Sequence, residues 1–371
     1  MSSVAIAYAF ILPASASLSC MASSTILYKI ATSPTKMKSP YTRFLSGLSV
    51  YDILYSLSFL ASSLASPKGT SWGAVGNTTT CNIQGFFLLF GQFGTTFYNF
   101  GLCIYYLYVI KYSTSDERFS ASIEPYLHVI PAVYGLFIAS FSVSTGNINP
   151  AGMNQETFHC YLSPLPLNCV HDPDTECIRG EHAPFLQMIL IIFPMLLNGF
   201  GLFTAMGMIC STVREQENRM EQYVFRLRDG QTPSRRSVNS NGPNRNRKVR
   251  NQALSYAVVV VVCYLPAALI MFTSSPVFFD AESELSVEPV IIILTALLTP
   301  LQGLLNVFIF LRPQVCNIRD EHGEKSWREC FIIALKTVDI ADNRERSRRL
   351  RRSSRHEDII GRIGSKRGIR R

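Results

Sequence analysis

Charge is what this 371-residue chain has least of: Asp, Glu, Lys and Arg make up 16% of it, against 47% hydrophobic residues. The shortage is local. Windows at about 4–28, 44–66, 81–110, 125–145, 183–211, 251–274 and 290–311 hold at most one ionisable residue each. At 1.5 Å per helical residue, each can cross a hydrocarbon layer of about 30 Å. That excludes a soluble domain and predicts an all-α, multi-pass membrane protein with seven spans. Asp52 is the only carboxylate in any span, and His128 the only histidine. With no His or carboxylate cluster, an intramembrane metalloenzyme is excluded, and no cofactor is expected. No basic residue precedes the first apolar run, which continues past Pro13-Ala14-Ser15-Ala16 to Tyr28. It therefore reads as a span, not as a cleaved signal peptide.

Where charge does occur, it is sorted. Of the 35 Lys and Arg, all but Lys68 and Arg179 fall in 29–43, 111–124, 212–250 and the segment from 312. Basic loops stay in the cytoplasm, so the N-terminus is expected outside the plasma membrane and the C-terminus inside. The short 29–43 segment agrees, with Lys29, Lys36, Lys38 and Arg43 and no acid. The net charge of +9 then faces anionic lipid of the inner leaflet, at about 1 kcal/mol per basic residue near it, and not nucleic acid.

The organising stretch is Cys81 to Tyr112, about thirty uncharged residues opened by a cysteine and closed by tyrosines around Lys111. It predicts the central helix, with Cys81 on the oxidising side. Asp52, in Leu48-Ser49-Val50-Tyr51-Asp52, costs at least about 2.5–3.5 kcal/mol to insert, so it faces the bundle interior with a partner. Cys81, Cys160, Cys169 and Cys177 share the outer face and allow three pairings. Asn77-Thr78-Thr79 is a glycosylation sequon at Asn77. Inside, Val213, Met220, Val224 and Leu227 recur at helical spacing among arginines, followed by a flexible Gly230 to Pro243 stretch and the basic run to Arg250. Arg312-Pro313 is expected to end the last span. Trp327, Cys330, Phe331, Ala334, Leu335 and Val338 share one face of an interfacial helix within 312–340, where Cys316 and Cys330 suit palmitoylation. The basic tail, 341–371, is expected to be disordered, and Arg235-Arg236-Ser237 and Arg351-Arg352-Ser353-Ser354 suit basic-directed kinases.

The order of these features resembles G-protein-coupled receptors. Leu48 to Asp52 is similar to the Leu-Ala-x-x-Asp pattern of span two. Cys263-Tyr264-Leu265-Pro266 is similar to the Cys-Trp-x-Pro hinge of span six. Pro300, Gln302, Gly303 and Asn306, with Trp72, Gly76-Asn77 and the Cys81 to Gly85 run, look like the cAMP-receptor-like and secretin-like branches. Span three ends Tyr105-Tyr106-Leu107-Tyr108 without the Asp-Arg-Tyr triplet, span four lacks the usual tryptophan and span one the usual asparagine. The inactive-state lock must therefore be built differently from that of rhodopsin-like members.

The resemblance implies a bundle over 1–311, a Cys81–Cys160 disulfide with Cys169 and Cys177 as alternative partners, and activation of a heterotrimeric G protein by an extracellular small ligand. It brings Asp52, Thr95, Gln302 and Asn306 together as a water or sodium cluster. Asp52, Pro266, Pro300, Gly303 and Asn306 become switch and hinge positions. Gln84, Gln92, Gln187 and Tyr264 are either the polar handles of a ligand pocket or interhelical hydrogen bonds. Tyr105, Tyr106, Lys111, Arg214, Arg250 and Arg312 form the G-protein face. The outer loops hold Glu156, Asp172, Asp174, Glu176, Glu181, Asp280, Glu282, Glu284 and Glu288 against Lys68 and Arg179, so a cationic or neutral ligand is expected and an anion such as cAMP is not. No lysine lies in 290–311, which excludes a retinal Schiff base there. The rival reading is a seven-helix transporter or channel coupled through Asp52.

Overall fold

A computed structural model describes residues 3–33, 37–153, 156–167, 169–170, 174–228, 242–273, 289–321 and 325–336. Asp172, Asp280, Glu282, Glu284, Glu288, Lys36, Arg235, Arg236, Val338 and the tail 341–371 lie outside the described residues, as do the side chains of Glu156, Met220, Val224 and Leu227. The chain is an all-α seven-helix membrane bundle carrying one β-hairpin. In order come α1 Ser3–Thr32, α2 Pro40–Ala61, α3 Thr78–Ile110, the short α4 Asp116–Ser122, α5 Glu124–Ser144, strands β1 Ile148–Met153 and β2 Glu156–Leu162, and α6 Ala183–Leu186. A π turn at Gln187–Ile192 leads into α7 Phe193–Arg228, followed by α8 Gly242–Thr273, α9 Pro289–Leu298, α10 Gln302–Glu321 and α11 Trp327–Lys336.

Five spans, and α9 with α10 as a sixth bent by 51°, are apolar enough for hydrocarbon by composition. Helix α3 is long enough at 33 residues, but Asn82, Gln84, Gln92, Thr95, Thr96 and Asn99 lower its average hydropathy. All of these but Asn82 are among its buried residues, so α3 is solvated by protein and not by lipid.

Two compact units make up the chain: Met1–Leu27 with Ser39–Ile309, and Tyr28–Lys38 with Phe310–Arg371. In the larger, local capping starts the helices. Ser39 caps α2 ahead of Pro40, and Asn77 and Thr80 form a reciprocal capping box on α3, 3.0 and 2.8 Å. Glycines let α2 and α3 approach. A Cβ on Gly91 would stand 2.8 Å from the Tyr55 amide nitrogen, and one on Gly94 would run into the Tyr51 ring.

The hairpin lies on this helix pair. Cys81 is bonded to Cys160, and Cys169 to Cys177. On the hairpin, the Phe158 ring stacks on Tyr8 at 4.3 Å, and His159 meets Phe59 edge-on at 5.5 Å. Its Phe158, Tyr161 and Leu162 belong to one buried apolar cluster with Tyr8, Leu12, Tyr55, Phe59, Leu88, Leu89 and Phe93.

Near the start of α2, Arg43 forks onto Glu124 of α5, Nε to Oε1 2.5 Å and Nη2 to Oε2 2.7 Å, with Nη2 also donating to Ser120. Glu124 is nearly fully buried, and its charge faces the N-terminus of α5. Phe119 of α4 is buried against Tyr105, Tyr108 and Phe44, and holds the 111–124 segment to α3.

In the smaller unit, buried Lys29 donates to the Ala334 carbonyl at 2.7 Å, in the last turn of α11, and Arg319 lies over the Trp327 ring at 4.0 Å. Two expectations are corrected there. Arg312-Pro313 does not end the helix, because α10 runs on to Glu321; a proline removes one hydrogen bond, from the Ile309 carbonyl, which bends a helix without having to break it. Cys330 is fully buried, so its thiol is closed to acylation, whereas Cys316 is half-buried.

Removing the Glu124 carboxylate takes the bidentate acceptor from half-buried Arg43 and leaves it the weaker, neutral Ser120 hydroxyl. Glu124→Ala is expected to destabilise the bundle by about 2 kcal/mol, discounted for the partial exposure of Arg43, and Arg43→Lys by less because one charged hydrogen bond survives. Thermal unfolding in lipid nanodiscs measures both.

Candidate functional site

Three polar layers cross the bundle interior. The outermost joins the hairpin to α3. Gln84 Nε2 donates to the carbonyls of Ser58 and Ser62 at 2.9 and 2.8 Å, and its Oε1 accepts from the Cys160 amide at 3.0 Å. Both its N–H donors go to Ser58 and Ser62 and its oxygen is engaged by β2, so Gln84 is a clamp and not a pocket handle. Two turns further in, Gln92 Oε1 accepts from the Tyr161 hydroxyl at 2.8 Å. Gln187 sits half-buried in the π turn. Asn77 is exposed, with its Oδ1 capping α3.

The middle layer surrounds Asp52, which is 2% exposed. Asn306 Nδ2 donates to its Oδ2 at 3.1 Å, and Ser23 lies beside it. The last span breaks over Thr299–Leu301, and side chains from other helices take up the freed backbone groups. Pro300 has no N–H for the Ala296 carbonyl four residues earlier, and Ser15 Oγ donates to that carbonyl at 2.9 Å. The Gly303 amide finds Ser19 Oγ at 2.9 Å, and the Thr299 hydroxyl donates to the Cys263 carbonyl at 3.2 Å. A Cβ on Gly303 would strike the Ser19 and Ser23 hydroxyls, so only glycine allows α1 this close.

Thr95 does not join Asp52. Its hydroxyl reaches the Gln92 main-chain carbonyl at 3.0 Å and is bonded to the Tyr264 hydroxyl at 2.9 Å. It therefore belongs with the Tyr264–Pro266 hinge. Among the described residues, the Gln302 amide, Asn306 Oδ1, Asn99 Oδ1 and the Ser49 and Ser56 hydroxyls are buried with no hydrogen-bond partner.

The innermost layer ties α8 to its neighbours. Gln252 Nε2 donates to the Tyr41 hydroxyl at 2.9 Å, and Tyr41 meets the hydroxyl of fully buried Tyr256 at 3.2 Å. The Tyr41 ring lies 6.2 Å from that of Tyr106, and Arg250 reaches Glu217 of α7 at 3.5 Å. Tyr105 and Tyr106 are buried here, where Phe119 and Tyr41 pack on them, so they are not part of an exposed inner face. Lys111, Arg214 and Arg312 are exposed, and Arg250 is half-buried.

Sequence reasoning missed Tyr161, Tyr41, Gln252, Tyr256, Ser15 and Ser19. Two signals were available: Ser15, Ser19 and Ser23 recur every four residues, and Gln252 and Tyr256 stand four apart at the basic end of a span. Nothing about Tyr161 marks it except its place next to Cys160.

His159 carries the pH dependence of the outer layer. Burial among Tyr8, Phe59 and Tyr161 lowers its pKa from 6.5 to about 4. The folded pKa lies below the unfolded one, so only the unfolded state takes up this proton between the two values. The contribution is complete above about pH 6.5 and is lost as pH falls toward about 4. The melting temperature of His159→Gln is expected to fall less between pH 7.5 and pH 5 than that of the native chain; equal falls would contradict the assignment.

No family model and no curated protein sequence matches this chain. Among the solved structures that match it is squid rhodopsin, with a TM-score of 0.58 and 14% identity over 86% of this chain and 81% of that one. At that identity the likeness shows the fold alone: the chain has the seven-helix fold of the G-protein-coupled receptors.

Proposed function

We propose that the chain is a plasma-membrane receptor, N-terminus outside, that responds to an extracellular small ligand and activates a heterotrimeric G protein. The observation that carries this reading is the innermost layer. In the place of the missing Asp-Arg-Tyr triplet, α8 is held at its inner end by Tyr41 through Gln252 and Tyr256, three neutral side chains whose hydrogen bonds exchange readily. The Tyr264–Pro266 hinge lies two to three turns further along the same helix. Such a helix has two arrangements available, latched and swung out, and a ligand shifts their populations only by binding one better than the other. The motif order favours the cAMP-receptor-like and secretin-like branches. Exposed Asp174, Glu176 and Glu181 favour a cationic or neutral ligand.

Lys111, Arg214, Arg250 and Arg312 are the residues we assign to the G-protein face, with the basic inner surface also meeting anionic lipid. Asp52, Asn306 Oδ1 and Gln302 offer hard oxygens, a donor set that fits water or a sodium ion as stabiliser of the latched state. Glycosylation at Asn77 and acylation at Cys316 complete the reading.

The transporter alternative has one observation in its favour: a span broken beside a buried carboxylate is also how transporters build a midplane site. Guanine-nucleotide exchange on a panel of heterotrimeric G proteins, with the chain in nanodiscs, separates the two. The receptor reading predicts exchange that Tyr41→Phe raises severalfold without ligand. No exchange, together with liposome flux abolished by Asp52→Asn, would replace it with the transporter.

A further inference from the structure

The hairpin and the α8 hinge are both bonded to one residue of α3 or its next turn. The side chain of Gln92 is held on the hairpin side by the Tyr161 hydroxyl, 2.8 Å, and its main-chain carbonyl accepts from Thr95, whose hydroxyl is bonded to that of Tyr264, 3.0 and 2.9 Å. Tyr161 donates to Gln92 Oε1, Thr95 and Thr96 both reach the Gln92 main-chain carbonyl, and the Thr95 and Tyr264 hydroxyls share one hydrogen bond. The hairpin end of this relay is held firmly, because Cys160, next to Tyr161, is bonded to Cys81 and its amide to Gln84. The other end is two residues from Pro266, where α8 lacks a backbone hydrogen bond.

We propose that Tyr161 of the outer hairpin is a positioning residue for the α8 hinge, acting through Gln92 and Thr95 on Tyr264. The hairpin itself is then an input element. Any ligand or partner that lifts the 148–162 hairpin withdraws the hydroxyl from Gln92 and loosens the turn of α3 that holds Thr95 against Tyr264, without having to occupy the bundle interior. A buried Tyr hydroxyl and its acceptor are costly to separate, which gives the contact two distinct states, made and broken. This inference rests on the receptor reading for its meaning and on the hydrogen bonds alone for its existence.

The test uses the full chain in nanodiscs with trifluoromethyl-phenylalanine at Val258, an exposed position on the inner half of α8, read by fluorine NMR. Tyr161→Phe and Tyr264→Phe are each expected to move the probe population in the same direction. In the double variant the effect of Tyr264→Phe is expected to shrink at least threefold, the non-additivity that marks two members of one network. Gln92→Met removes the same contact from the other side and is expected to reproduce Tyr161→Phe, which keeps the test alive should that variant fail to fold. His159→Gln, on the same strand but outside the relay, is expected to leave the probe still. Additive effects, or an unmoved probe in Tyr161→Phe and Gln92→Met, overturn the relay whatever G-protein exchange shows. A moved probe without exchange on any G protein keeps the relay and counts against the receptor reading alone.

Discussion

A buried polar group in an apolar bundle must find its partner within the protein, and α3 carries more such groups than the other helices can ignore. Gln84 is answered by α2 and the hairpin, Gln92 by Tyr161, and Thr95 by Tyr264 of α8. His128 of α5 takes the Tyr98 hydroxyl, at 2.8 Å. Each partner comes from a different element, so satisfying α3 fixes where those elements stand. The glycines at 91 and 94 complete the arrangement by letting α2 lie against α3 through its aromatic rings.

The elements that α3 does not hold directly are those whose backbone is interrupted. The last span is broken at Thr299–Leu301, and its loose ends are stitched to α1 through Ser15 and Ser19. Side-chain hydroxyls substitute there for backbone bonds, and they exchange partners more easily than a helix ladder does. Asp52 is tied to α10 just beyond the break. A carboxylate beside a break reports on the position of that helix, whether the output is a signal or a transported ion.

Much of the fold was legible because it follows from hydropathy and charge sorting alone. The length of α3 and the place of Asp52 needed nothing further. The two proline sites were also visible, since a proline declares its missing N–H in the sequence. The partners were not. Gln84 and Gln92 read alike as buried amides, and only the hairpin geometry separates the clamp from the relay member. Thr95 and Gln302 both read as members of the Asp52 cluster, yet Thr95 faces Tyr264, because which way a helix is turned about its axis is set by all its neighbours at once. Cys330 read as a lipid anchor because its face of α11 is apolar; the same apolarity buries it.

Hydrogen–deuterium exchange of the native chain in lipid nanodiscs tests most directly whether α3 is the fixed spine. Amides in the buried middle of α3 are expected to exchange at least about tenfold more slowly than those flanking the 299–303 break and the first half of α8. Equal protection of α3 and α8, or faster exchange in α3, would contradict it.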